Sequence, residues 1–131
     1  MTDRELVEKA FTMLEYSYVP YSKFPVGAAL LLKDGTVITG CNVENAGYSP
    51  TNCAERTAVF KAVSEGHRDD WTAIAIAGRG EDYCWPCGSC RQMLYEFSPR
   101  IRVLAARGDG MFQSSVLEEL LPCGFGPHSL E

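Results

Sequence analysis

Several things are scarce in this 131-residue chain, and each scarcity removes a class of function. No continuous apolar stretch is long enough to cross a bilayer, which argues against a membrane-spanning helix. The N-terminal MTDRELVEKAF is charged and amphipathic rather than apolar, so no signal peptide is read there and an intracellular, cytoplasmic protein is expected. Basic residues are outnumbered, 12 Lys and Arg against 17 Asp and Glu, for a net charge of −5. Arg100 and Arg102 lie close together, but no basic run follows, and a nucleic-acid partner needs a clustered positive surface. Low-complexity segments, repeats and linkers are absent. There are only two histidines, His67 and His128, and neither has a neighbour that would make it a catalytic base. What remains is a soluble, globular composition, 46% apolar and 22% charged, sufficient for one domain over residues 1–131. Cysteine, by contrast, is plentiful. In a reducing compartment six of them read as thiols or thiolate ligands, not disulfides.

The order of elements is alternating. Thr2 with Glu5 predicts a capping box, and Leu6, Ala10, Met13 and Leu14 recur at helical spacing until Pro20 and Pro25. Val26 to Leu32 and Val37 to Cys41 are strand-like runs joined by 33-KDGT-36, a hairpin signal. A helix is predicted from Cys53 to Gly66, a buried strand over Thr72 to Ala77, a helix over Gly88 to Phe97 and a strand over Ile101 to Ala106. Ser115 with Glu118 predicts the cap of a short last helix through Leu121. Strand–helix–strand–helix–strand over about residues 37 to 106 predicts three parallel, adjacent strands, with the hairpin adding an antiparallel edge strand. Both cysteine-bearing helix starts then fall at one end of one sheet, where such folds bind ligands.

The chemistry concentrates in 53-CAER-56 and 86-PCGSC-90. Cys87 and Cys90, three apart at a helix start, share a face and can grip one ion. Cys53 and Glu55 are two apart and reach a common point only at a helix terminus, which is where the pattern puts them. Helix N-termini favour thiolates, and three thiolates suit Zn²⁺, with Zn–S near ~2.3 Å. Three protein ligands leave a position for water, whereas a structural site is normally closed by four. Cys84 is a possible fourth ligand, and Cys41 and Cys123 are read as buried, inert thiols. Zn²⁺ with three thiolates carries one net negative charge, which Arg56 is placed to offset. Trp85-Pro86-Cys87-Gly88-Ser89-Cys90 also echoes a thioredoxin-type redox motif, but that reading leaves Cys53 and Glu55 without a role.

These motifs, with 24-FPVGAALL-31, 40-GCNVENAGY-48 and 121-LPCGFGP-127, make the chain resemble, nearly end to end, cytidine deaminases of the short, all-cysteine-ligand class. The resemblance implies a three-layer α/β/α fold with a mixed, mostly parallel five-stranded sheet. It implies hydrolytic deamination of cytidine and 2′-deoxycytidine, in pyrimidine salvage, by one Zn²⁺ per subunit held by Cys53, Cys87 and Cys90. Glu55 would shuttle protons as catalytic acid and base. Phe24 would lie against the pyrimidine, although a core aromatic would look the same in sequence. Asn42 and Glu44 would bind the ribose, although both could serve the turn after the strand. Ala46, Tyr48, Ala54 and Phe125 complete the implied substrate contacts, some of them donated across a homotetramer. Blasticidin-type aminonucleoside deaminases share CAE and PCGSC, and a non-catalytic zinc module remains as a reading of a different class.

Overall fold

The computed structural model describes residues 1–131. Helix α1 (Asp3–Thr12) opens with the expected capping box: Thr2 Oγ1 accepts from Glu5 N, and Glu5 Oε1 accepts from Thr2 N. A short 3₁₀ turn (Met13–Tyr16) follows. Strands β1 (Val26–Leu32) and β2 (Val37–Cys41) form the hairpin, with Thr36 N donating to Asp34 Oδ1 in its turn. Helix α2 (Ala54–Ser64), strand β3 (Trp71–Gly78), helix α3 (Gly88–Phe97) and strand β4 (Arg102–Ala106) come next. Strand β5 (Phe112–Val116), helix α4 (Leu117–Leu120) and a final 3₁₀ turn (Pro127–Leu130) complete the chain. No helix is long and apolar enough to cross a membrane.

The five strands form one mixed sheet in the order β2-β1-β3-β4-β5. Strands β2, β3 and β4 share a direction, as the crossover argument requires, but they are not all adjacent. Strand β1 lies between β2 and β3, antiparallel to both, and only β3 and β4 pair in parallel. The expectation of a mostly parallel sheet is therefore corrected, since three of the four pairings are antiparallel. The reason is legible in burial. Strand β1 (VGAALLL) is apolar on both faces and must be central, whereas β2 alternates between buried and half-buried residues and belongs at the edge. Strand β5 replaces the start of the expected last helix. Ser115 pairs with Val103 in the sheet, and the helix begins only after Val116. FQSSV has no apolar run to announce a strand; pairing with β4 alone makes it one.

Two cores lie on the two faces of the sheet, giving the three layers. On one face Leu6, Val7, Ala10 and Leu14 of the N-terminal segment cover Ala29, Ala73, Ala75, Ala77 and Leu104. On the other, Val59 and Ala62 of α2 and Leu94 of α3 cover Leu30, Leu32, Ile74, Ile76 and Val103. The period of two along β1 and β3 sorts neighbouring residues to opposite faces. Small residues bring α2 close. Ala28, Ala54 and Ala58 form a compact cluster, and a Cβ at Gly40 of β2 would stand 2.5 Å from Ala58 N and 2.6 Å from Ala54 O. The first turn of α2 thus rests on bare backbone. Gly40→Ala is expected to cost about 1–3 kcal/mol by overpacking, read as a lower urea midpoint. The helix start should shift with it, so zinc retention on dialysis against a chelator should fall as well; an unchanged midpoint would contradict this seating.

Candidate active site

Helices α2 and α3 begin at one place, and in both the N-cap residue is a cysteine. Cys53 (φ −71°, ψ 155°) and Cys87 (φ −68°, ψ 171°) have extended backbones, and neither side chain caps its helix. Their sulfurs are therefore free to point outward from the helix ends. Cys90, one turn into α3, is fully buried beneath them. The Sγ atoms of Cys53, Cys87 and Cys90 all lie within 4.8 Å of one another, with Cys53 and Cys87 4.0 Å apart. Thiolates on a tetrahedral Zn²⁺ at ~2.3 Å stand about 3.8 Å from each other, so the donor set fits zinc in type and spacing. Cys84 is not in the cluster. Its sulfur lies toward Gly78, and burial pushes its thiol up to about 12, so it stays protonated. Two other cysteines differ from expectation: Cys41 is only half-buried and Cys123 is exposed, so neither is a buried core thiol.

The surrounding charges are ordered by the same geometry. Arg56, in the first turn of α2, donates from Nη2 to Cys53 Sγ at 3.3 Å. The hydrogen bond from the Cys90 thiol, together with Arg56, draws the Cys53 thiol well below its ordinary value. Two residues along, Glu55 is the one charged side chain of the chain that is buried, with 4% exposure. Burial raises its carboxyl to about 7, opposed by hydrogen bonding at its own backbone and by the more distant Arg56 cation. A carboxyl poised there exchanges protons readily at neutral pH.

Above the cluster opens a cleft of about 170 Å³. Cys53, Ala54, Glu55 and Cys87 line it together with Val26, Asn42, Cys84 and Trp85. Asn42 is held by the backbone before β1, accepting from Val26 N at 2.9 Å and donating to Phe24 O at 3.0 Å. Its second amide hydrogen is left for a ligand. Glu44 lies in an adjoining groove with Tyr48, its Oε1 accepting from Tyr21 N (3.0 Å) and Ser22 N (3.1 Å). Bonds from Ser22, then Tyr21, hold that carboxyl below the usual range. Phe24 lines neither cleft. Its ring packs on Gly78 and Gly80, where a Cβ at Gly78 would stand 3.0 Å from the ring, and it remains exposed. Ala46 is exposed, and Tyr48 is 78% exposed at φ +59°. Phe125 is 57% exposed, its carbonyl accepting from Gln92 Nε2 at 2.7 Å.

One chain thus brings together Cys53, Cys87, Cys90, Glu55, Arg56, Ala54 and Asn42, sets Glu44 and Tyr48 in a second groove, and leaves Ala46 and Phe125 on the surface. Val26 and Trp85 are wall residues that the sequence reading did not assign. Their position next to the PVGA and PCGSC motifs is the signal that could have found them. A larger cleft of about 370 Å³ lies between the loops after β3 and β4. Its lining carries two residues of each sign, Arg79, Arg107, Glu81 and Asp109, and Arg107 is tied to Asp109 at 2.9 Å. With its charges cancelled and no nucleophile present, it offers no chemistry.

Residues 1–106 match the family described as "Cytidine and deoxycytidylate deaminase zinc-binding region". Among curated relatives, cytidine deaminase of Halalkalibacterium halodurans is 50% identical over 125 residues, 94% of either chain. Cytidine deaminase of Sporosarcina psychrophila is 46% identical over 133 residues, covering 99% of this chain and 96% of that one. Among solved structures, cytidine deaminase from Burkholderia pseudomallei superposes with a TM-score of 0.92 at 44% identity, over 95% of this chain and all of that one.

Metal analysis of the purified protein should give about one zinc per chain, the number one three-thiolate site holds. Cys53→Ser, Cys87→Ser and Cys90→Ser should each lose most of that metal, and Cys84→Ser should keep it. Metal loss in Cys84→Ser equal to that in the other three would mean a closed, four-cysteine site.

Proposed function

This chain belongs to the zinc-binding cytidine and deoxycytidylate deaminase family, and on that premise we propose that it hydrolyses cytidine and 2′-deoxycytidine to uridine and 2′-deoxyuridine, releasing ammonia. The observation that carries the reading is the buried Glu55 carboxyl beside three converging cysteine sulfurs, in the lining of one cleft. Zn²⁺ held by Cys53, Cys87 and Cys90 supplies the Lewis acidity that activates water for attack on C4 of the base.

Glu55 handles the protons. Its carboxylate takes one from the attacking water and delivers it to N3, which breaks the C4=N3 double bond as the new C4–O bond forms. It then carries the remaining hydroxyl proton to the amine, so that the C4–N bond breaks and ammonia leaves. A carboxyl held near neutrality by burial suits both directions of transfer. Ala54 N–H, at the first position of α2, has no partner within the helix and is a donor for the base carbonyl O2. Arg56 offsets the negative charge of the three thiolates. Asn42 and Glu44, clamped by backbone contacts, present an amide and a carboxylate to the sugar hydroxyls.

The active unit is read as a homotetramer acting on free nucleosides in cytoplasmic pyrimidine salvage. The cleft, about 170 Å³, falls short of the ~300 Å³ at which small-molecule pockets usually begin. It suits a pyrimidine ring better than a whole nucleoside. The exposed aromatics Tyr48 (78%), Phe125 (57%) and Phe60 (50%) are apolar surface suited to burial against neighbouring copies. Tyr48, Ala46 and Phe125 are thereby the residues that a neighbour would contribute. Phe24, exposed beside Gly78 and Gly80, is the aromatic read as lying against the base once the site is complete.

Ammonia release and the ultraviolet change should be followed with cytidine, deoxycytidine and blasticidin S. The first two are expected to turn over, and Glu55→Gln should keep its zinc while losing about 10²–10⁴-fold or more in kcat. A zinc-loaded Glu55→Gln protein with full turnover would sink this mechanism. Turnover of blasticidin S alone would move the chain to the aminonucleoside branch. Light scattering on the active protein should give four times the 14.4 kDa chain mass. A fully active monomer would overturn the shared-site reading.

A further inference from the structure

We infer that Trp85, with Cys84 beside it, walls off the C5 edge of the bound pyrimidine and makes the enzyme discriminate against 5-substituted cytosine nucleosides. The inference rests on the deaminase reading above and adds to it a residue that sets specificity.

Cytosine has its polar groups, N4, N3 and O2, along one side, and only C–H bonds at C5 and C6. The cleft lining carries both kinds of group. Its hydrogen-bonding groups, the Glu55 carboxyl, the Ala54 N–H and the Asn42 amide, come from the start of α2 and from the residue after β2. Of its apolar side chains, Val26 opens β1 beside Asn42, whereas Cys84 and Trp85 come from the segment that leads into α3. That segment also delivers Cys87, two residues after Trp85, to the sulfur cluster where C4 reacts. C5 is the carbon bonded to C4 on the side away from N3. With N3 at Glu55, the ring therefore turns its C5 edge toward the residues just before Cys87.

The wall is fixed in place. Cys84 N donates to Ala106 O at 3.0 Å, which ties the segment to the end of β4. Pro86 follows Trp85, and its carbonyl accepts from Arg91 Nε at 2.8 Å, while Arg91 Nη1 is held by Leu120 O at 2.9 Å. Both Cys84 and Trp85 pack against the large apolar core. In a cleft of about 170 Å³ with a wall braced this way, an added methyl group on that edge would press against Trp85.

The test compares kcat/KM for cytidine and 5-methylcytidine. Wild type should prefer cytidine by about 10–200-fold, the range that one extra carbon costs in a tight apolar pocket. Trp85→Ala should reduce that ratio by roughly tenfold, and Trp85→Phe, which keeps an aromatic wall, should hold it within about threefold. The ratio is the readout, because truncating a cleft residue will also alter turnover of cytidine itself. Equal use of the two nucleosides by wild type, or an unchanged ratio in Trp85→Ala, would overturn the inference. If Trp85→Ala does not fold, judged by circular dichroism and zinc content, Cys84→Ala serves instead: a lower ratio supports the wall and an unchanged one overturns it. A wild type with no activity on cytidine would remove the deaminase reading and this inference with it. Activity on cytidine with equal activity on the 5-methyl compound would remove the inference alone.

Discussion

The site depends on two helices beginning at one point with a cysteine as the last non-helical residue of each. A helix N-terminus presents unpaired N–H groups and the positive end of its dipole, which stabilises the negative charge that thiolates bring. As N-caps, Cys53 and Cys87 keep extended backbones and can aim their sulfurs across the gap instead of back along their own helices. Cys90, held one turn further on, closes the triangle from below. The fourth direction is left to the cleft, and that separates a centre able to do chemistry from a structural clip.

That convergence requires the helices to lie close to the sheet. Small residues provide this where α2 crosses the sheet, Gly40 and Ala28 on the strands and Ala54 and Ala58 on the helix. Larger residues farther along, Val59, Ile74 and Leu94, supply the apolar burial that holds the arrangement. The same close seating buries Glu55, and burial is what raises its carboxyl to about 7. Packing and proton chemistry are therefore one constraint: a looser seat would expose the carboxyl and return it to an ordinary acid.

Much of this was readable in the residue pattern. The Thr2–Glu5 cap, the Asp34-Gly35 turn, both long helices and the joint meaning of CAER and PCGSC follow from spacing that local geometry enforces. Two features of the fold were not readable. The place of β1 between β2 and β3 is a choice of pairing partner, hinted at only by its unbroken apolar run. Strand β5 exists because β4 needs an edge partner; FQSSV on its own has neither the length nor the alternation to declare itself.

By itself the sequence determined the chemical groups: three cysteines spaced to hold a metal, a carboxylate beside them, and two helix starts that must meet for either to matter. Those conclusions rest on short-range rules, such as which positions share a helix face and what a helix end favours, and these hold wherever the segment lies. The tertiary structure alone decided the shape around that chemistry. It placed Cys84 outside the sulfur cluster, brought Trp85 into the lining of the cleft, packed Phe24 on Gly78 and Gly80 and left Tyr48 and Phe125 facing outward. Each of those outcomes depends on contacts between segments far apart in the chain, and no local pattern encodes the distance between two loops until the sheet beneath them has been assembled.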